Sequence, residues 1–163
     1  MFIAEDLYAQ ILELMPIPCV DLLVMDGAGN VLLLFRKNEP AVGQWWFPGG
    51  RIFFGEKRED AVRRKLEEEC GLVATQFQEI CTFDLFFDIG QNTSTHSITT
   101  LFKVEVACES NIRLDHQSHE ARWLTPSEWL KYELHPFVCR GLATEKLLHA
   151  ELSNIAYSDA QRD

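Results

Sequence analysis

The chain has 163 residues, 47% of them hydrophobic, which suffices for one substantial core and leaves little for a second, so a single domain spanning 1–163 is expected. Its 25 acidic and 15 basic side chains give a net charge of −10, which argues against nucleic acid as a partner because a phosphate backbone needs a basic surface. Five cysteines (Cys19, Cys70, Cys81, Cys108, Cys139) without close pairing indicate neither a disulfide framework nor a zinc site, and with no export signal or membrane-length apolar run the expected setting is a reducing cytoplasm, away from any membrane.

Leu7, Ile11, Leu12, Leu14 and Met15 fall at helical spacing and predict a first helix over about 4–15, ended by Pro16 and Pro18. Cys19 to Met25 and Val31 to Phe35 are apolar runs on either side of Asp26-Gly27-Ala28-Gly29-Asn30, the pattern of a hairpin with a glycine-rich turn. Pro48-Gly49-Gly50 reads as a tight bend whose backbone can approach an anion or a metal closely. A helix follows, with Ala61, Val62 and Leu66 as its apolar positions and Gly71 as a left-handed C-terminal stop. Val73 to Phe87 and Ser97 to Val106 predict further strands around a loop at 88–92. Arg122 to Leu124 is expected as a short strand, Pro126 to Leu130 as a short helix, Cys139 to Leu152 as a longer one, and 158–163 as a frayed tail. This order belongs to the α/β class and suits an α/β/α sandwich around a mixed sheet.

The stretch Gly50 to Leu72, GRIFFGEKREDAVRRKLEEECGL, carries the chemistry. Positions 65, 68 and 69 are helical neighbours and Arg64 stands i,i+4 from Glu68, so one helix face is acidic. Two carboxylates there can share a hard cation. Magnesium prefers oxygen ligands and keeps substrate phosphate oxygens among them, so a diphosphate-containing substrate is expected, met locally by the metal and a few arginines. The plainer alternative is a solvated helix with Glu–Lys and Glu–Arg pairs, which requires neither glycines at both ends nor the approach Trp45-Trp46-Phe47-Pro48-Gly49-Gly50.

The stretch resembles the Nudix hydrolase signature: Gly50, Glu56, Arg64, Leu66, Glu68, Glu69, Gly71 and Leu72 match, while Lys65 stands where the family usually carries a glutamate. Asp21-Leu22-Leu23-Val24, Leu34-Phe35-Arg36, Pro40 to Arg51 and Arg122-Trp123-Leu124-Thr125 are similar to the GDP-mannose mannosyl hydrolase branch, whose members also relax the signature at the position of Lys65. The resemblance implies a Nudix-type α/β/α sandwich and hydrolysis of GDP-mannose or GDP-glucose to GDP and free sugar by attack at the anomeric carbon. It implies a magnesium cofactor, with manganese as a substitute. Its metal ligands match the Gly49 carbonyl, Glu69 and Gln117, with Glu68 beside them on the helix. Arg36 and Arg51 match its diphosphate contacts and would aid catalysis by stabilising the departing GDP. Asp21 matches a sugar-facing residue, with a surface carboxylate at a strand start as the alternative. A homodimer is also implied, and the N-terminal helix hints at the same, although such a helix can equally cover its own sheet.

The branch places a histidine directly after its metal-binding glutamine, whereas this chain has Ser118 there, with His116 and His119 flanking the Gln117-Ser118 pair. His119 is the first candidate for general base, through a one-residue shift, and His116 the second; both could equally be solvated loop histidines. Leu85 replaces a histidine that the branch tends to carry near the leaving diphosphate, and His96 is read as a strand residue. Lys65 has two readings, a partner for Glu68 and Glu69 or a cation aimed at substrate phosphate, and both predict one metal ion per site. Trp45 and Trp46 could stack a base or pack a sheet edge, while Trp123 and Trp129 read as core. Two other functions stay open: phosphoanhydride cleavage with metal ligands and base drawn from Glu56, Glu68 and Glu69, and a non-catalytic nucleotide-sugar sensor.

Overall fold

The computed structural model describes residues 3–88, 94–107 and 111–144. In chain order the elements are α1 (Glu5–Leu14), β1 (Ile17–Met25), β2 (Val31–Arg36), β3 (Trp45–Trp46), β4 (Gly49–Arg51), α2 (Arg58–Cys70), β5 (Ala74–Asp88), β6 (Ser94–Val106), β7 (Ser118–Leu124) and α3 (Pro126–Trp129). Residues 136–144 form a further helix, α4.

Local chemistry sets the turns. At the β1–β2 hairpin, Asp26 Oδ1 accepts the backbone N–H groups of Ala28 and Asn30 at 2.9 and 2.8 Å, so the side chain supplies the turn's hydrogen bonds. Helix α2 ends where Gly71 takes φ 66°, and the Gly71 and Leu72 N–H groups bond back to Glu67 and Leu66.

The sheet has seven strands in the order β3-β2-β1-β6-β5, with β4 added on β1 and β7 on β2. The β1–β6 pair is parallel and the other pairs are antiparallel, so the sheet is mixed. Both of its faces are covered, which is why β1 is apolar without alternation. Val20, Leu22 and Val24 pack with Leu32, Phe102 and Val104 beneath Ala61, Val62 and Leu66 of α2. Leu23 and Met25 point the other way, into a cluster with Leu33, Leu101, Trp129, Phe137 and Leu142 that joins the sheet to α3 and α4. Trp129 is fully buried and its indole N–H donates to the Val31 carbonyl at 2.8 Å. The expected α/β class, with helices on both faces of a mixed sheet, is what the chain forms.

Several boundaries differ from the sequence reading. β1 starts at Ile17 and includes Pro18, whose carbonyl still accepts the Ile52 N–H at 2.9 Å although the ring offers no donor. Gly49 and Gly50 lie in a strand rather than a bend. β7 begins at Ser118, not Arg122, because backbone pairing to β2 carries through Ala121 and Glu120 to Ser118. α4 starts at 136, with Pro136 in its first turn, where the missing N–H costs nothing. The expected positions 89–92, 145–152 and 158–163, and Cys108, lie outside the described residues. Cys19, Cys70, Cys81 and Cys139 form no disulfide, and no helix among the described residues is long and apolar enough to cross a membrane.

Candidate active site

A cleft of about 480 Å³ opens between α1, β4, α2 and the β5–β6 hairpin. Its size suits a small ligand of nucleotide dimensions.

The β4 wall is built by pairing. Leu22 donates to the Pro48 carbonyl at 2.8 Å and Ile52 to that of Pro18 at 2.9 Å, so Val20 and Gly50 form the hydrogen-bonded pair between them. Gly49, opposite Asp21, falls between bonded pairs, and its N–H and C=O turn away from β1. The N–H donates to Glu69 Oε2 at 3.2 Å. A Cβ on Gly49 would lie 2.4 Å from the Val20 carbonyl oxygen and 2.8 Å from Asp21 Oδ1, so no other residue fits there without backbone movement. Gly50, at φ 152°, would bring a Cβ to 3.1 Å from Lys65 Cε.

On the α2 wall, Glu56 accepts Arg64 Nε at 2.6 Å and Nη2 at 2.8 Å, and also the Phe53 N–H at 2.8 Å. Arg64 further reaches the Arg51 carbonyl at 3.1 Å and Glu68 at 3.2 Å, with its guanidinium 3.9 Å above the Phe53 ring. This clamp ties the loop after β4 to the helix. The Arg64 hydrogen bonds hold the Glu56 carboxyl below the usual range. Lys65, only 7% exposed, places Nζ 2.5 Å from Glu69 Oε1 and 3.3 Å from Glu68 Oε2. Glu69 is 4% exposed and sits just behind the cleft surface; burial pushes its pKa up, and the neighbouring Lys65 opposes the rise.

Asp21 forms the floor. It is buried, accepts the Thr99 hydroxyl at 2.5 Å and the Trp46 indole N–H at 3.2 Å, and burial pushes its pKa up to about 6 against those bonds. Arg36 donates from Nε to the Pro40 carbonyl at 2.9 Å, and the Arg51 guanidinium lies over the Tyr8 and Phe53 rings at 5.0 and 5.4 Å. Gln117 is fixed by Asp115, which accepts its backbone N–H and its side-chain Nε2 at 2.8 Å each. That leaves the amide oxygen as the atom offered to a ligand.

The structure thus brings Asp21, Arg36, Gly49, Arg51, Glu68 and Gln117 to one cleft, with Glu69 directly behind. It does not bring the two histidines there. At the start of β7 the register shifts, with Phe35 opposite Glu120 but Arg36 opposite Ser118, so His119 is the extra residue of a bulge. Ser118 is buried opposite Arg36, while His119 and His116 are exposed and absent from the cleft walls. Leu85 does line the cleft; His96 stands at its rim, stacked on Phe86 at 4.3 Å and 3.1 Å from Asp84. Sequence reasoning missed Tyr8, Thr99 and Asp115. Only Asp115 left a local signal, as an acceptor two residues before a candidate ligand.

The oxygen donors at hand are the Gly49 carbonyl, the Glu68 and Glu69 carboxylates and the Gln117 amide. The described residues contain no group of three or more acid, imidazole or thiol side chains poised for a metal. An all-oxygen set of this kind fits a hard divalent ion that takes its remaining ligands from phosphate or water.

The NUDIX domain sequence profile matches residues 15–140. The chain is 37% identical over 144 residues to the low-salt glycan biosynthesis protein Agl8 of Haloferax volcanii, covering 86% of this chain and 88% of that protein. It is 26% identical over 134 residues to the nucleoside triphosphatase NudI of Escherichia coli, covering 77% and 94%. Among solved structures, the NUDIX domain of Shewanella oneidensis NrtR complexed with ADP ribose superposes with a TM-score of 0.68 at 20% identity, covering 88% of this chain and 97% of that one, which shows the fold. A MutT NUDIX hydrolase from Burkholderia pseudomallei does likewise, with a TM-score of 0.68 at 22% identity over 80% and 98%. The chain belongs to the Nudix hydrolase family. Members act on nucleoside diphosphate derivatives and generally use divalent metal ions.

Proposed function

We propose that this Nudix hydrolase converts a nucleoside diphosphate sugar, GDP-mannose or GDP-glucose, to nucleoside diphosphate and free sugar by attack of water at the anomeric carbon. The observation that carries this reading is Lys65: where ordinary members place a glutamate that serves as base or metal ligand, this chain has a buried ammonium paired with Glu69. Attack at carbon needs no carboxylate there. The likeness to a glycan biosynthesis protein adds support for a sugar-bearing substrate.

In this reading the Gly49 carbonyl, Glu68, Glu69 and Gln117 hold magnesium, or manganese in its place, and Arg36 and Arg51 hold the diphosphate. An ion held there would supply positive charge to neutralise the leaving diphosphate. Asp21 accepts a hydrogen bond from a sugar hydroxyl, and the arginines stabilise the departing group. Stabilising the leaving group, rather than deprotonating water with a histidine, is then the larger contribution, since His119 and His116 are exposed and outside the cleft walls. The setting is cytoplasmic, and a homodimer remains part of the proposal.

Incubation with a panel of GDP-, UDP- and ADP-sugars and magnesium, followed by separation of products, tests the reading. Nucleoside diphosphate plus free sugar is expected. Nucleoside monophosphate plus sugar phosphate would establish phosphoanhydride cleavage, a second reading favoured by Glu68, whose half-exposed carboxylate lines the cleft.

A further inference from the structure

We infer that Lys65 is a resident counter-ion of the α2 carboxylates: its ammonium holds the Glu69 oxygen that a divalent ion would take, so the free protein binds one metal weakly, and metal binding requires Lys65 to exchange partners. This rests on reading α2 as the metal site, and is independent of which substrate is cleaved.

Both Glu69 oxygens are already partnered, Oε1 by Lys65 Nζ at 2.5 Å and Oε2 by the Gly49 N–H at 3.2 Å. The ammonium also reaches Glu68 at 3.3 Å, so it lies between the two carboxylates that would help hold a metal. Lys65 and Glu69 are nearly solvent-free, and a pair excluded from water is costly to separate unless each charge finds a new partner. The lysine is also seated. Its stem passes beside Gly50, where a Cβ would come within 3.1 Å of Cε, so the glycine opens the path that carries the ammonium to Glu69.

Charge counting points the same way. Lys65 and Arg64 face three carboxylates, Glu56, Glu68 and Glu69, with Arg64 bound most closely to Glu56, so Lys65 is the cation left to offset Glu68 and Glu69. A glutamate at 65 would give four carboxylates against one arginine, a site that recruits more metal. Exchange also has a direction: a diphosphate entering the cleft, whose wall includes Lys65, offers the ammonium phosphate oxygens and releases Glu69 to the metal. Metal and diphosphate then raise each other's affinity by the same factor.

The test is a Mn²⁺ titration without nucleotide, followed by the electron paramagnetic resonance signal of free Mn²⁺. Wild type is expected to bind one ion weakly; Lys65→Met should tighten that site at least tenfold without changing the count, and Lys65→Glu should add a second ion per chain. Loss of structure alone would weaken metal binding, so tightening is a readout that a purely structural lysine would not give. Should Lys65→Met fail to fold by its melting curve, Lys65→Gln serves with the same expectation. Affinity of the uncharged variant within twofold of wild type, or two tightly held ions in wild type, would overturn the proposal. Because no substrate is present, failure of the sugar-hydrolase reading leaves this result unaffected, and the converse holds as well.

Discussion

The two walls of the cleft draw on similar residue types but differ in how far water is excluded. On the α2–β4 side, Lys65 and Glu69 are 7% and 4% exposed, and each charged atom has a fixed partner. Across the cleft, Gln117 is braced by Asp115 and Ser118 is buried, yet the bulge that follows leaves His119 in solvent. Electrostatic interactions strengthen as water is removed. The first wall is therefore where a single charge change alters chemistry, and the second is where a histidine contributes little unless the segment moves.

The largest effect should come from Glu69→Gln, which keeps the shape but removes the charge: turnover is expected to fall at least about a hundredfold, the scale of losing one major electrostatic contact. Retention of half the activity would erase the contrast between the walls. Gly49→Ala forces a Cβ into the Val20 carbonyl and should cost about 3 kcal/mol in denaturant unfolding, at the upper end of overpacking penalties. Arg64→Ala breaks the clamp on Glu56 and should cost about 2 kcal/mol, between surface and buried pairs because both side chains are partly exposed. The clamp also has a pH signature. Glu56 is held below the usual carboxylate range, so its contribution is complete above the unfolded value near 4 and is lost as pH falls through the folded value; Arg64→Ala should flatten that acid limb.

A smaller, separable slope belongs to His135, which packs at a tilt against Trp46 with ring centroids 5.0 Å apart and accepts the Phe137 N–H on Nδ1. Burial lowers its pKa, so the folded state favours the neutral ring and stability is lost as pH drops below about 6.5. His135→Gln should remove the slope in that window, as thermal melts across pH would show. The smallest effect is expected from His119→Ala, about threefold or less in kcat. A hundredfold loss, the scale of a true general base, would mean that residues 115–119 swing inward during turnover.

What the sequence made legible follows the same division. Apolar runs such as 22–25 betray a strand covered on both faces, and the motif glycines, Arg64 and the paired glutamates announced α2 and its acidic face. Periodicity could not show that β7 extends back to Ser118, because an edge strand with polar residues has no apolar alternation to read. Nor could it show the bulge at His119, since a register shift is set by pairing across the sheet rather than by neighbours in sequence. The same holds for Asp21: its burial depends on Trp46 and on Thr99, 78 residues away. Lys65 is intermediate. Helical spacing placed it beside Glu68 and Glu69, but its burial comes from β4 packing over it.

The central claim is attack at the anomeric carbon, and the most direct measurement is hydrolysis of GDP-mannose in oxygen-18 water with mass analysis of the GDP, whose phosphate oxygens do not exchange with solvent. Unlabelled GDP, with the label entering the sugar, is the predicted result. Label on the β-phosphate of GDP would place the attack at phosphorus and contradict the account.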